Sequence, residues 1–139
     1  MHSKQKGSMG ESKVMYDLLS QDYQVFFEFG DNSKTDLIAL GQDYNPIKIQ
    51  VKSYMSVNGS VSIGRNKCGP NYSFDYTDKH FDVLALYIID HNIIAYISAK
   101  EFFSCANMIT IRAVPPKNNQ KKGVRLAKNY TSFSLSLTP

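Results

Sequence analysis

Glu11, Asp36 and the pair Gln50-x-Lys52 are the residues whose types and order could do chemistry together. Oxygen donors such as two carboxylates and an amide suit a hard divalent cation, and a neighbouring ammonium can orient a water or offset negative charge developing on a phosphate. That is the equipment phosphodiester hydrolysis needs. Each residue alone has a plainer reading. Glu11 can complete a helix capping box with Ser8, Asp36 can be a strand-entry residue, and Gln50 and Lys52 can be the solvent face of a strand. Their combination singles them out.

The elements that must position them follow from periodicity. Val14, Met15 and Leu18 recur at helical spacing and predict a helix over Ser8–Ser20, which puts Glu11 on the stripe facing the core. Gln24 to Phe29 reads as a strand ended by the turn cluster Gly30-Asp31-Asn32-Ser33, and a second strand runs from Thr35 to Leu40. From Ile47 to Lys52 the residues alternate, with Ile47, Ile49 and Val51 on one face and Lys48, Gln50 and Lys52 on the other. Residues 58–79 read as loops around a short strand at Val61 to Ile63. The apolar runs Phe81 to Ile89 and Ile93 to Ile97, separated by Asp90-His91-Asn92, read as a core hairpin. Ser98 can cap a short helix through Phe103, Met108 to Val114 adds a strand, and the tail from Tyr130 to Leu137 reads as a final strand or a contact between copies.

The order Lys6-Gly7 to Glu11, then Ser33 to Asp36 with Leu37-Ile38-Ala39, then Ile49-Gln50-Val51-Lys52-Ser53, resembles the PD-(D/E)xK nuclease superfamily. Within it, size and the Gln-x-Lys variant resemble the small group I intron-encoded homing endonuclease of cyanobacterial type. The resemblance implies an α/β (α+β) fold with an αβββα-type, restriction-endonuclease-like core and a mixed central sheet. It implies that residues 1–139 form a single nuclease-like domain, with a basic loop at 115–128 and a C-terminal tail. It also implies roles: Asp36 as the metal ligand, Lys52 as the water-orienting lysine, Glu11 as the supporting helix acid, Gln50 as an amide ligand and the Val51 carbonyl as a further one. Two positions depart from the family pattern. Thr35 stands where a proline often precedes the aspartate, and Gln50 replaces the second acid, which lowers the charge available to a metal.

The expected activity is a magnesium-dependent DNA endonuclease, with manganese or another divalent ion as a substitute, acting on a specific duplex. The alternatives are a resolvase of four-way junctions and a DNA-binding module of nuclease fold without catalysis. Cutting both strands needs two facing sites, so a homo-oligomer is expected, a dimer at least and a tetramer within reach, with Phe102, Phe103 and Phe133 to Leu137 as interface residues. A net charge of +4 favours a polyanionic partner. Arg65 and Lys67, near the catalytic strand, are candidate DNA contacts, Arg65 through guanine in the major groove. Lys117, Lys121, Lys122, Arg125 and Lys128 are candidate phosphate contacts. Tyr44, Tyr54, Tyr72 and Tyr76 could stack on bases, touch phosphates or fill half-buried surface.

Other chemistries find little support. Cys68 and Cys105 lack zinc or disulfide-framework spacing, and His80 and His91 match no metal or catalytic template. The N-terminus lacks an apolar signal region and no apolar run is long enough to span a bilayer, so a reducing cytoplasm and no membrane are expected.

Overall fold

The computed structural model describes residues 1–30 and 33–138, with the backbone alone at 67–69 and 74. The first helix, α1, spans Ser3–Ser20 and buries Val14 and Leu18 completely. It starts five residues earlier than the periodicity predicts. His2 occupies the N-cap without a side-chain bond, the Lys6 N–H donates to the His2 carbonyl at 3.0 Å, and Ser8 lies inside the helix. The capping box is therefore absent. The helix formers Lys4, Gln5 and Lys6 extend the turn upstream of Ser8, where a cap would need extended backbone.

Nine strands follow, with a short helix before the last: β1 (Gln24–Phe27), β2 (Leu37–Leu40), β3 (Pro46–Tyr54), β4 (Ser60–Gly64), β5 (Asn66–Gly69), β6 (Tyr72–Asp75), β7 (Val83–Ile88), β8 (Ile93–Ser98), α2 (Ala99–Ser104) and β9 (Met108–Arg112). The central sheet has the order β1-β2-β3-β7-β8. Its neighbours pair antiparallel except β3 and β7, which run parallel with Ile49 opposite Val83 and Tyr54 opposite Ile88. A parallel pair needs a long crossover, and residues 55–82 supply it, carrying β4 and the β5–β6 hairpin on the way. The sequence read that stretch as loops around one short strand. Its glycines and polar residues hide a hairpin whose strands are only four residues each.

All six residues of β7 are buried, which accounts for its unbroken apolar run: both faces of this strand are covered. On one face α1 packs through Val14 and Leu18 against Leu37, Ala39, Ile49 and Val83. On the other, Leu84, Leu86, Ile88 and Ile97 meet α2 through Phe102 and the β4–β9 pair through Ile63, Ile109 and Ile111. The result is a mixed α/β layering around a five-stranded mixed sheet. Ser98 caps α2 as predicted, its Oγ accepting from the Glu101 N–H at 3.1 Å.

The tail departs from expectation. After a 3-10 turn at Ala127–Asn129, it forms one further 3-10 turn, Ser134–Leu137, and no strand. Phe133 is fully buried, edge-on to Tyr23 at 4.7 Å and to Tyr96 at 5.2 Å, and its N–H donates to Gln21 Oε1 at 3.1 Å. Phe102 is 1% exposed and Phe103 stacks on Phe81. These three aromatics complete the core of one chain, whereas Leu135 and Leu137 of the same tail stay 66% and 39% exposed. Further large apolar side chains stand in solvent on edge strand β1 with Phe26 and Phe27, and on α1 with Tyr16 and Leu19. No described helix is long and apolar enough to cross a membrane.

Candidate active site

Asp36 stands one residue before β2, and its backbone still belongs to the ladder, the N–H donating to the Ile49 carbonyl at 3.0 Å. Its side chain is thereby set against β3. Asp36 Oδ2 accepts two hydrogen bonds, from Gln50 Nε2 and from the Val51 N–H, each 2.8 Å long. A carboxylate only accepts, so the amide nitrogen of Gln50 must face it and the amide oxygen must face away.

That oxygen is the informative atom. Gln50 is 6% exposed, the one buried polar or charged residue among those described, and its Oε1 is buried with no hydrogen-bond partner. Leaving a buried acceptor unmet costs about 1–3 kcal/mol. A cation ligated there would remove the penalty, so the donor set fits a hard divalent ion. Val51 adds to the set by strand geometry. Its N–H faces Asp36, and the carbonyl of the same residue points to the same side of β3. No trio of His, Cys, Asp or Glu capable of holding a metal occurs among the described residues, so any such site must combine carboxylate with neutral oxygen.

Glu11 reaches this place because α1 lies unusually close to β3. A Cβ built on Gly10 would fall 1.8 Å from Ser53 Oγ and 3.3 Å from Val51 Cγ1, so only a glycine permits the approach. A cleft of about 430 Å³ results, lined by Lys4, Glu11, Asp36, Gln50, Val51 and Lys52 among others. The four residues singled out in the sequence therefore share one cleft.

Lys52 is held by a residue the sequence reading had assigned elsewhere. Its Nζ donates to the Tyr76 hydroxyl at 2.8 Å and sits 4.8 Å from the centre of that ring. Tyr76 is 5% exposed, which removes it from the base-stacking candidates. Burial first, then the charge of Asp36, then Tyr54 and Tyr72, push its hydroxyl far above the usual value, so it stays neutral. Glu28 was also missed. It follows β1 directly and lines a smaller cleft of about 190 Å³ with Glu11 and Asp36. Its Oε2 accepts from the Ser33 N–H at 2.9 Å. An acid closing a strand next to a turn was the available signal.

The expected DNA contacts fare differently. Arg65 does not project into solvent. Its guanidinium donates to the carbonyls of Phe103 and Cys105 and lies 5.7 Å from the Phe103 ring, bracing the end of α2. The guanine-reading expectation gains no support from this placement, because Nη2 is turned to the chain itself. The Arg125 Nε donates to Glu101 Oε2 at 2.6 Å, and the Tyr130 hydroxyl joins them at 2.7 Å. Lys117, Lys121, Lys122 and Lys128 are exposed on segments joined to β9 and β8, which carry none of the four cleft residues. The side chain of Lys67 lies outside the described residues.

The sequence model of a family described as PD-(D/E)XK endonuclease matches residues 1–133. Among solved structures the chain is similar to that of a bacterial homing endonuclease, I-Ssp6803I, with a TM-score of 0.72 at 19% identity, covering 88% of this chain and 86% of that one. A comparison with curated protein sequences gave no match.

Proposed function

This chain belongs to the PD-(D/E)XK endonuclease family, and from that premise we propose that it is a divalent-metal-dependent DNA endonuclease acting on a specific duplex target, as a homing enzyme does. The observation that carries the reading is the partnerless, buried Gln50 Oε1 beside Asp36 in a cleft that Lys52 also lines.

In this reading Asp36 supplies the anionic ligand, Gln50 Oε1 and the Val51 carbonyl supply neutral ones, and Glu11 adds charge from the helix side of the cleft. Magnesium, or manganese in its place, held by these residues would polarise a phosphate oxygen and lower the pKa of a bound water. The protein contributes positioning. Gln50 uses its amide nitrogen to fix the Asp36 carboxylate and keeps its oxygen turned away from it. The Val51 N–H holds the same oxygen from the backbone, so Asp36 cannot swing. Lys52, tethered by Tyr76, offers a cation to the charge that develops on the phosphate as the bond breaks.

The described chain presents one such cleft, and cutting both strands requires two, so the working form is a homo-oligomer, a dimer at least. A free Cys105 thiol suits a reducing cytoplasm.

The test incubates the protein with a randomised duplex library and with four-way junctions, in magnesium or in chelator, and sequences the ends. The expected result is magnesium-dependent cutting of one duplex target, abolished in Asp36→Ala and Lys52→Ala. Cleavage of junctions irrespective of sequence would replace homing by resolution. No cleavage with any divalent ion, or variants as active as wild type, overturns the enzyme reading.

A further inference from the structure

Hydrogen bonds tie together the three segments that carry Lys34, Lys48, and Lys79 with His80, the first of them the segment of Asp36. The Thr35 hydroxyl donates to the His80 carbonyl at 2.6 Å, tying the segment that carries Lys34 and Asp36 to the turn before β7. That turn is closed by its own bonds: the His80 N–H donates to the Thr77 carbonyl at 3.0 Å, and the Thr77 N–H to His80 Nδ1 at 2.9 Å. From β3, the Lys48 ammonium donates to the Lys79 carbonyl at 2.5 Å. Tyr76 completes the link, edge-on to His80 at 6.0 Å while it holds Lys52.

The cluster is positive where it matters. Two carboxylates share its segment, Asp78 and Asp82, both on exposed residues, and Asp82 Oδ2 is engaged with the Lys48 N–H at 2.9 Å. Even so, after burial it is the charges of Lys34 and Lys48 that hold the His80 imidazole below its usual pKa. Because Nδ1 accepts from Thr77, the neutral ring carries its proton on Nε2, a donor suited to a phosphate oxygen. The charges of Lys34 and Lys48 both reach the His80 ring, the exposed Lys79 neighbours it in sequence, and an anionic partner offsets like charges gathered in this way.

We propose that Lys34, Lys48, Lys79 and His80 form a phosphate-contacting surface that receives the DNA backbone beside the cleft, a role the sequence reading had given to Arg65 and the 115–128 loop. The inference rests on the nuclease reading and adds to it a place where the duplex lies. Lys34 and Lys79 are exposed, so both can be truncated without disturbing the core.

The test measures binding of a labelled random-sequence duplex by fluorescence anisotropy, in chelator to prevent cutting, across a series of salt concentrations. Each lysine–phosphate contact contributes about 0.9 to the slope of log affinity against log salt. The double variant Lys34→Ala/Lys79→Ala is expected to lose about two units of slope and at least tenfold in affinity at low salt, while Lys100→Ala on α2 keeps both. His80→Ala is expected to weaken binding with little change of slope, as a neutral donor should. If the double variant keeps wild-type slope and affinity, the surface is wrong while the nuclease reading stands. If wild-type protein binds no duplex at all, the nuclease reading fails and the surface with it.

Discussion

Lys52 and Tyr76 form a donor–acceptor pair 2.8 Å apart, with the ammonium also lying over the face of the same ring. The lysine that the family motif supplies is thus oriented by a residue 24 positions downstream, within the crossover.

Tyr76→Phe keeps the ring and removes the acceptor. A hydrogen bond to a charged group is worth about 1.5–3 kcal/mol, so cleavage at saturating DNA should fall about ten- to hundredfold. Binding of uncleaved duplex in chelator should not change, because the ring packing remains. Rate and affinity measured on the same preparation check this, and an equal loss in both would mean that Tyr76 serves the fold alone.

Gln50→Glu restores the acid that the family more often carries at this position. It replaces the N–H···O bond to Asp36 with two facing carboxylates, so the metal-free protein should lose about 1–3 kcal/mol and one of the two acids should titrate high. Magnesium should recover more stability in the variant than in wild type, because it binds the more anionic site more tightly. Thermal melts with magnesium and with chelator read both effects.

The two glycines of the first two turns of α1 should respond in opposite directions. Gly10→Ala places a methyl against Ser53 and Val51 and should destabilise by about 1–3 kcal/mol. A Cβ at Gly7 meets nothing within 4 Å, so Gly7→Ala should stabilise by about 0.5–1 kcal/mol through helix propensity. Urea midpoints for the two variants give the comparison.

Alkaline pH should unfold the protein through buried tyrosines. Tyr76 and Tyr96 are pushed far above the ordinary value of 10.0 by burial first, Tyr96 also by its bond to Asp17, and Tyr130 is pushed up to about 12 by burial and Glu101. Their folded-state values exceed the unfolded ones. The associated stability is therefore complete below about pH 10 and is lost as pH rises from there towards the folded-state values. Urea midpoints should drop between about pH 9 and about pH 11, and less steeply in Tyr96→Phe.

The four cleft residues were legible because each sits at a fixed offset within a local pattern: a helical stripe, a strand entry, a two-residue alternation. Strand type was legible wherever both faces or one face are apolar, as in β7, β8 and β3. Tyr76, Lys34, Lys48 and Lys79 were not, since their roles arise from the parallel pairing of β3 with β7, and no local pattern announces that. Arg65 misled for the same reason. A basic residue in a glycine-flanked loop looks exposed until α2 folds over it. The tail misled because Phe133, Leu135 and Leu137 alternate like a strand, yet only Phe133 is buried.

The parallel pairing of β3 with β7 also divides the chain by assembly order. Helix α1 and strands β1 to β3 contact one another over short sequence separations, whereas Ile49 meets Val83 only after a 34-residue excursion has closed. Local contacts form faster than distant ones because less loop entropy is lost. The acids and the amide belong to the early half, but Tyr76, which orients the lysine, arrives with the late one. A chain stalled before closure would hold Asp36 and Gln50 in place and leave Lys52 untethered, so the complete cleft is the last thing this fold acquires.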